Sequence, residues 1–155
     1  MPTIAVNSTW KAARFCKVIY AGDRKWWYAY RHEIDIDAKQ VCFSSSACKL
    51  YGLKHHKFKH GRGYNSGMLA IDWAIQQGAT KVVLLGYDCS VVNGLHHHGP
   101  HDKTHNPNPQ KCAIWQTQFR NLAAVHKGVN VVNCSRYTEL AAFRVGDLET
   151  ELASA

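Results

Sequence analysis

A glycine-rich segment that runs directly into a helical pattern is the most specific chemical signal in the chain. It extends from Gly61 to Gly67. Backbone amides at the start of a helix, together with the positive end of the helix dipole, favour an anion such as phosphate. Glycine lets the backbone approach such a group closely. Gly63, Asn65, Ser66 and Gly67 are therefore predicted to bind a phosphate-bearing ligand.

A strand candidate at Lys81 to Leu85 would complete this site, because open α/β sheets bind ligands at the carboxyl ends of their strands. Asp88 is predicted as a catalytic carboxylate there, and Tyr87 as a ligand contact. The segment matches neither the Walker loop nor the dinucleotide fingerprint, since no clear strand precedes the glycines and the GK[ST] ending is absent. The alternative is that Asn65 or Ser66 only caps the helix.

Histidines concentrate in the stretch from Ser90 to Asn108. Neutral imidazole suits zinc and similar divalent ions, so His96, His98 and His101 are candidate metal ligands, although their spacing fits no closed zinc motif. Alternatively His101 or His105 acts as a general acid or base, since the unperturbed pKa of histidine is about 6.5. The third interpretation is a polar surface loop stiffened by prolines.

Polar residues also follow the first two strand candidates, Thr3 to Val6 and Lys17 to Tyr20. If these strands are parallel, the residues after them share the carboxyl edge with the other candidates. Asn7, Ser8 and Asp23 are therefore predicted to hydrogen-bond a base or sugar. Ordinary turn and cap chemistry is the alternative, and it is the favoured one for Asp23.

The elements that must position these residues alternate between short apolar runs and longer helical patterns. This order predicts an α/β fold, with one Rossmann-like domain over residues 1–155 and a mostly parallel sheet covered by helices on both faces. Glycines follow the two clearest helices, as is common at helix ends. Besides the strands already named, Val41 to Phe43 and Val129 to Asn133 are strand candidates, and the predicted helices are Ser66 to Gln77, Pro109 to Lys127 and a shorter one from near Asp23.

Composition limits the classes of partner. The chain has a formal charge of +8, which favours an anionic ligand without naming it. Its apolar runs fall short of the roughly 20 residues needed to cross a bilayer, so no membrane association is expected. Six scattered cysteines without a CxxC pair or a leader predict reduced thiols and a cytoplasmic location.

Aromatic residues beside basic ones, from Arg24 to Arg31, could stack on nucleic-acid bases. Helical spacing gives a simpler interpretation, in which Trp26, Trp27 and Tyr30 form one apolar face. Nucleic acid is therefore not the expected partner.

Several motifs occur in an order that covers nearly the whole chain. They are Ile4-Ala5-Val6-Asn7 with Trp10, Val18-Ile19-Tyr20-Ala21 with Asp23 and Trp26-Trp27, Asn65-Ser66-Gly67, Val82 to Asp88, His96 to His101, and Val131 to Ser135. In this order they resemble a group of Rossmann-like proteins common in phage genomes, similar to archaeal hydroxymethylpterin diphosphokinase-type proteins and to sialyltransferases of glycosyltransferase family 42.

The resemblance implies a nucleotide pocket formed by the Asn7 region, the segment from Asn65 to Gly67 and the strand end at Asp88. In the sialyltransferases a histidine beyond that strand is the catalytic base, which implies His101, with His105 next. The N-terminal Gly-x-Gly-Pro-Ser loop of those relatives is expected to be missing. If the protein is phage-encoded, the location becomes the host cytoplasm.

The leading hypothesis is a nucleotide-binding protein of transferase ancestry that binds a nucleotide or nucleotide sugar and transfers a group from it. A non-catalytic protein that sequesters a nucleotide, such as a host defence signal, is the first alternative. The second is a metal-dependent phosphohydrolase that uses the histidine stretch.

Overall fold

The structure is a computed structural model that describes residues 1–61, 65–92 and 108–154. By its internal packing the chain divides into two compact units. The described part of the first unit comprises Met1–Lys59 and Asn65–Trp73, and that of the second comprises residues 60–61, 74–92 and 108–154. Both units are α/β with parallel strands, which confirms the predicted fold class. The prediction of a single domain stays a prediction.

The first unit contains a four-stranded parallel sheet in the order β1-β2-β3-β4. Because parallel neighbours need crossover connections, short helices lie between the strands in sequence. The strands are β1 (Ile4–Val6), β2 (Val18–Tyr20), β3 (Lys39–Cys42) and β4 (Lys54–His55), and the helices are α1 (Arg24–Tyr30), α2 (Ser45–Tyr51) and the 3-10 segments Asn7–Lys11 and Arg31–Glu33.

The core of the first unit is aromatic. Trp26 and Trp27 lie edge to face with their ring centroids 5.0 Å apart, and Tyr30 packs against Trp26. All three side chains are buried, which confirms the amphipathic interpretation of α1. The helix begins where expected, because the Asp23 carboxylate accepts a hydrogen bond from the Lys25 amide at 2.8 Å.

Helix α3 (Ser66–Gln76) ends as predicted, at a glycine with left-handed backbone. Gly78 has a φ of 94° and donates its amide to the Ile75 carbonyl. Only glycine adopts this conformation without strain, so it terminates the helix cleanly. Residues of α3 up to Trp73 belong to the first unit, and the remaining ones belong to the second.

The second unit contains a three-stranded parallel sheet in the order β5-β6-β7. Phe119 and Leu122, which lie on the helix Pro109–Val125, are buried in this unit, together with Leu84 and Val132. No helix among the described residues combines the length and the apolar character needed to cross a membrane. The elements are β5 (Lys81–Leu84), α4 (Pro109–Val125), β6 (Asn130–Asn133), β7 (Arg144–Val145) and α5 (Leu148–Ala153).

Several predicted boundaries and elements were wrong. Helix α4 ends at Val125 instead of at Lys127, because His126 leaves the helical conformation, with a φ of −106° and a ψ of 43°. The basic, histidine-rich stretch from Lys54 onward shows no strand pattern in the sequence, yet it begins with β4. Helix α2 was not predicted. Five strands were placed within two residues of their observed ends, while β4 and β7, two residues each, were missed.

A charge cluster joins three elements of the second unit and makes stability depend on pH. Arg144 donates two hydrogen bonds to the Glu151 carboxylate, and the Lys81 ammonium lies 3.1 Å from the same group. Arg144, and then Lys81, lower the pKa of Glu151 from its ordinary 4.5 to about 2. Because the folded-state pKa is depressed, this contribution to stability is complete above pH 4.5 and is lost as the pH falls towards 2.

We expect Glu151→Gln to flatten the acid limb of the stability profile. The urea midpoint of the wild type should fall between about pH 5 and pH 2, and that of the variant should fall less, because glutamine does not titrate. Glu149→Gln, at an exposed position on the same helix, is the control and should keep the wild-type slope. Equal slopes for all three proteins would contradict a role for this cluster.

Candidate functional site

The carboxyl edge of the first sheet carries several of the predicted ligand-binding residues. Asn7 follows β1 directly and has a φ of 51°, a left-handed conformation that is uncommon for residues other than glycine. Ser8 comes next, and its hydroxyl oxygen accepts a long 3.4 Å hydrogen bond from the Trp26 indole. Both residues are half-buried. An amide and a hydroxyl therefore lie at this edge, as the sequence predicted.

The start of α3 lies at the same edge. The Ser66 hydroxyl oxygen accepts a 3.0 Å hydrogen bond from the amide of Gly22, which closely follows β2. A Cβ atom on Gly22 would lie only 2.8 Å from the Leu69 Cδ1 atom, so the strand end and the first turns of α3 pack too closely for a larger residue. This contact places the positive end of the helix dipole beside the end of β2.

Two residues for which capping was the alternative interpretation do cap helices in the structure. The Asn65 side-chain oxygen accepts the Met68 amide at 2.8 Å, so Asn65 caps α3. Asp23 caps α1 in the same way and is exposed. Ser66 instead uses its hydroxyl oxygen for the Gly22 amide, and Gly67 lies half-buried in the first turn. Capping and ligand binding are compatible, because a cap satisfies only part of the free amides at a helix start.

Below this edge lies a buried polar network that the sequence did not reveal. The Tyr20 hydroxyl, at the end of β2, lies 2.5 Å from His56 Nδ1. His56 Nε2 lies 2.9 Å from the Asp72 carboxylate on α3. All three side chains are almost completely buried. Their sequence separation gave no motif, and His56 lies in a run of lysines and histidines that is typical of a solvated segment.

The partners in this network define the histidine tautomer. An ionised carboxylate can only accept, so His56 donates from Nε2 to Asp72. With a neutral imidazole, Nδ1 is then the acceptor, and the Tyr20 hydroxyl donates to it. Burial raises the pKa of Tyr20, so its hydroxyl keeps its proton. A continuous hydrogen-bonded chain therefore links β2, the residue after β4, and α3.

In the second unit, Tyr87 and Asp88 lie in the segment after β5, and the backbone carbonyls of both accept hydrogen bonds. The Tyr87 carbonyl accepts from the Asn133 side chain and from the Thr138 hydroxyl, and the Asp88 carbonyl accepts from an amide at 2.8 Å. The Tyr87 ring packs edge to face on Phe119, and burial raises the pKa of its phenol. The Tyr87 ring thus packs against α4, and its predicted role as a ligand contact stays a prediction.

The remaining predicted site residues lie outside the described part of the chain. They are Gly63, His96, His98, His101 and His105. Their proposed roles in ligand binding, metal binding and catalysis stay predictions, as does a ligand position reaching Asp88.

A different pair of histidines does come together in the second unit. The rings of His60 and His126 lie 5.4 Å apart at 84° to one another, and their coordinating nitrogens lie within 4.8 Å. Such a pair could hold a metal ion. One histidine precedes the glycine-rich segment and the other follows α4, so no spacing rule could have joined them.

All six cysteines are free thiols. Burial raises the pKa of Cys42 to about 12 and that of Cys89 to about 11. These thiols are therefore protonated near neutral pH and unsuited to nucleophilic catalysis. The prediction of unpaired cysteines is confirmed.

Comparison with protein-family models, with curated proteins and with solved structures gives no match to this chain. The resemblance to phage Rossmann-like proteins and family 42 sialyltransferases therefore stays a prediction.

Proposed function

We propose that the protein binds a nucleotide or nucleotide sugar at the carboxyl edge of its first sheet, with the phosphates at the start of α3. The observation that carries the proposal is the Gly22–Ser66 hydrogen bond, which brings the start of α3 to the end of β2. Helix starts favour phosphate through their amides and their dipole. Asn7 and Ser8 supply polar groups for the sugar or base.

Positive charge in the same unit supports an anionic ligand. Lys57 and Lys59 follow β4 and are exposed. Because all four strands are parallel, residues that follow β4 leave the sheet at the edge where Asn7 and Gly22 also leave it. Lysine is a common partner of phosphate groups. The two lysines therefore supply counter-charge at the proposed end of the sheet.

Removal of this counter-charge tests the proposal. In calorimetric titrations with nucleoside diphosphates, triphosphates and nucleotide sugars, we expect Lys57→Gln/Lys59→Gln to weaken binding at least about tenfold, equivalent to roughly 1.4 kcal/mol. Unphosphorylated nucleosides should bind much more weakly than their nucleotides.

The matched control is Lys17→Gln/Lys39→Gln. It removes the same charge from exposed lysines at the amino ends of β2 and β3, at the opposite edge of the sheet. This variant should bind like the wild type. Equal losses in both double variants would mean that only net charge matters, and no binding of any nucleotide at millimolar concentration would overturn the proposal.

The proposal extends to group transfer from the ligand, with His101 or His105 as the base that the resemblance implies. Mass spectrometry of the best-binding ligand after incubation with the protein distinguishes transfer from sequestration. A new product that disappears in His101→Gln/His105→Gln would support transfer. Intact ligand with unchanged affinity would assign the protein to the sequestering class.

A further inference from the structure

We infer that His60 and His126 form the core of a binding site for a divalent transition-metal ion such as zinc. The site is separate from the predicted ligands His96, His98 and His101. Its two coordinating nitrogens lie within 4.8 Å of one another. Two imidazoles that bind one zinc ion at about 2.0–2.1 Å must bring their nitrogens to within about 4 Å. The two nitrogens must therefore approach one another by roughly 1 Å when an ion binds.

The position of His126 favours a cation. His126 caps the C-terminus of α4, a helix of 17 residues, and its own amide bonds the Leu122 carbonyl. The aligned peptide dipoles of a helix place partial negative charge at this end. His126 is half-buried, so its imidazole is held near the surface without being exposed in full.

The position of His60 allows an ion to enter. Its side chain is exposed, so water or other groups can complete the coordination shell. Imidazole nitrogen selects zinc, copper and nickel over magnesium and calcium. The neighbouring Lys59 and Lys127 oppose binding by charge repulsion, so we expect an affinity below that of closed structural zinc sites.

The test uses protein purified without a histidine tag and treated with chelator. Zinc is titrated by calorimetry into a background variant, His96→Gln/His97→Gln/His98→Gln/His101→Gln/His105→Gln, which removes the other histidine cluster. We expect one zinc ion to bind this background protein, and His60→Gln or His126→Gln added to it to weaken that binding at least tenfold. His32→Gln, an exposed histidine elsewhere, should leave zinc binding unchanged.

The thermal midpoint without metal separates structural damage from ligand loss. We expect His60→Gln to change this midpoint only slightly, because its side chain is exposed and its ring contact is with His126. At the same zinc concentration, the midpoint of the background protein should rise more than that of the two variants. Unchanged zinc affinity in both variants, or no zinc binding by the background protein, would overturn the inference.

Discussion

Replacing His56 with leucine is expected to lower the free energy of unfolding by about 3 to 5 kcal/mol, the usual cost of removing one partner from a buried charged contact. His56 is 1% exposed and donates to a carboxylate that is 0% exposed. Leucine of similar size would fill most of the space but leave the Asp72 carboxylate without this donor. It would also leave the Tyr20 hydroxyl without its acceptor. Urea unfolding followed by tryptophan fluorescence measures the loss.

Two smaller substitutions test the hydrogen bonds of this network one at a time. Tyr20→Phe removes only the donor to Nδ1 and should cost about 1 to 3 kcal/mol, the range for one unsatisfied buried polar atom. Asp72→Asn keeps an oxygen that can accept from Nε2, so we expect it to cost less than His56→Leu. If His56→Leu cost no more than Tyr20→Phe, the contact with Asp72 would contribute little to stability.

The same network has a consequence for the proposed ligand site. Tyr20 is the last residue of β2 and lies two positions before Gly22, whose amide bonds Ser66 at the start of α3. Asp72 lies on α3 itself. A weakened network should therefore loosen the strand end and the helix that form the site. We expect Tyr20→Phe to bind nucleotides more weakly than the wild type under conditions in which urea unfolding shows that the variant is folded.

Local patterns in the sequence predicted much of the fold. The β-branched runs that form β1, β2, β5 and β6 are continuous in the sequence. The apolar stripe of α3 is followed by Gly78, whose left-handed backbone ends the helix. Helix α2 was not predicted, because seven residues are too few to show a clear helical period in the sequence. Its signals, the Ser44 cap and the left-handed Gly52, were present but unsupported.

The site was harder to predict because its groups meet only through tertiary structure. Residues that follow strands could be assigned to one edge from topology alone, as Asn7 and Asp23 were. The partners of His56 could not, since nothing in a run of lysines and histidines indicates that one imidazole is buried against α3. The charged and polar residues of this segment favour a solvent-exposed loop, but in the folded protein the His56 side chain is buried.

Replacing Asn133 with aspartate is expected to cost about 3 kcal/mol of stability, although the two side chains have nearly the same shape. Asn133 is 0% exposed at the end of β6, and its amide nitrogen donates to the Tyr87 carbonyl and to the Thr138 hydroxyl, both at 3.0 Å. Its oxygen accepts from the amide and the hydroxyl of Ser135. The side chain thus uses its full hydrogen-bonding capacity inside the protein.

Aspartate would keep the acceptor and lose both donors, so an oxygen would face the Tyr87 carbonyl in a buried position. An unsatisfied buried polar atom costs about 1 to 3 kcal/mol, and more when it is charged. Asn130→Asp is the matched control, because Asn130 is exposed at the start of the same strand and its side-chain oxygen accepts from Arg144, a role that a carboxylate keeps. We expect that variant to unfold at the wild-type urea concentration. If both variants lost equal stability, the Asn133 amide would not be what holds the Tyr87–Asp88 segment, and the position predicted for the Asp88 carboxylate would need another support.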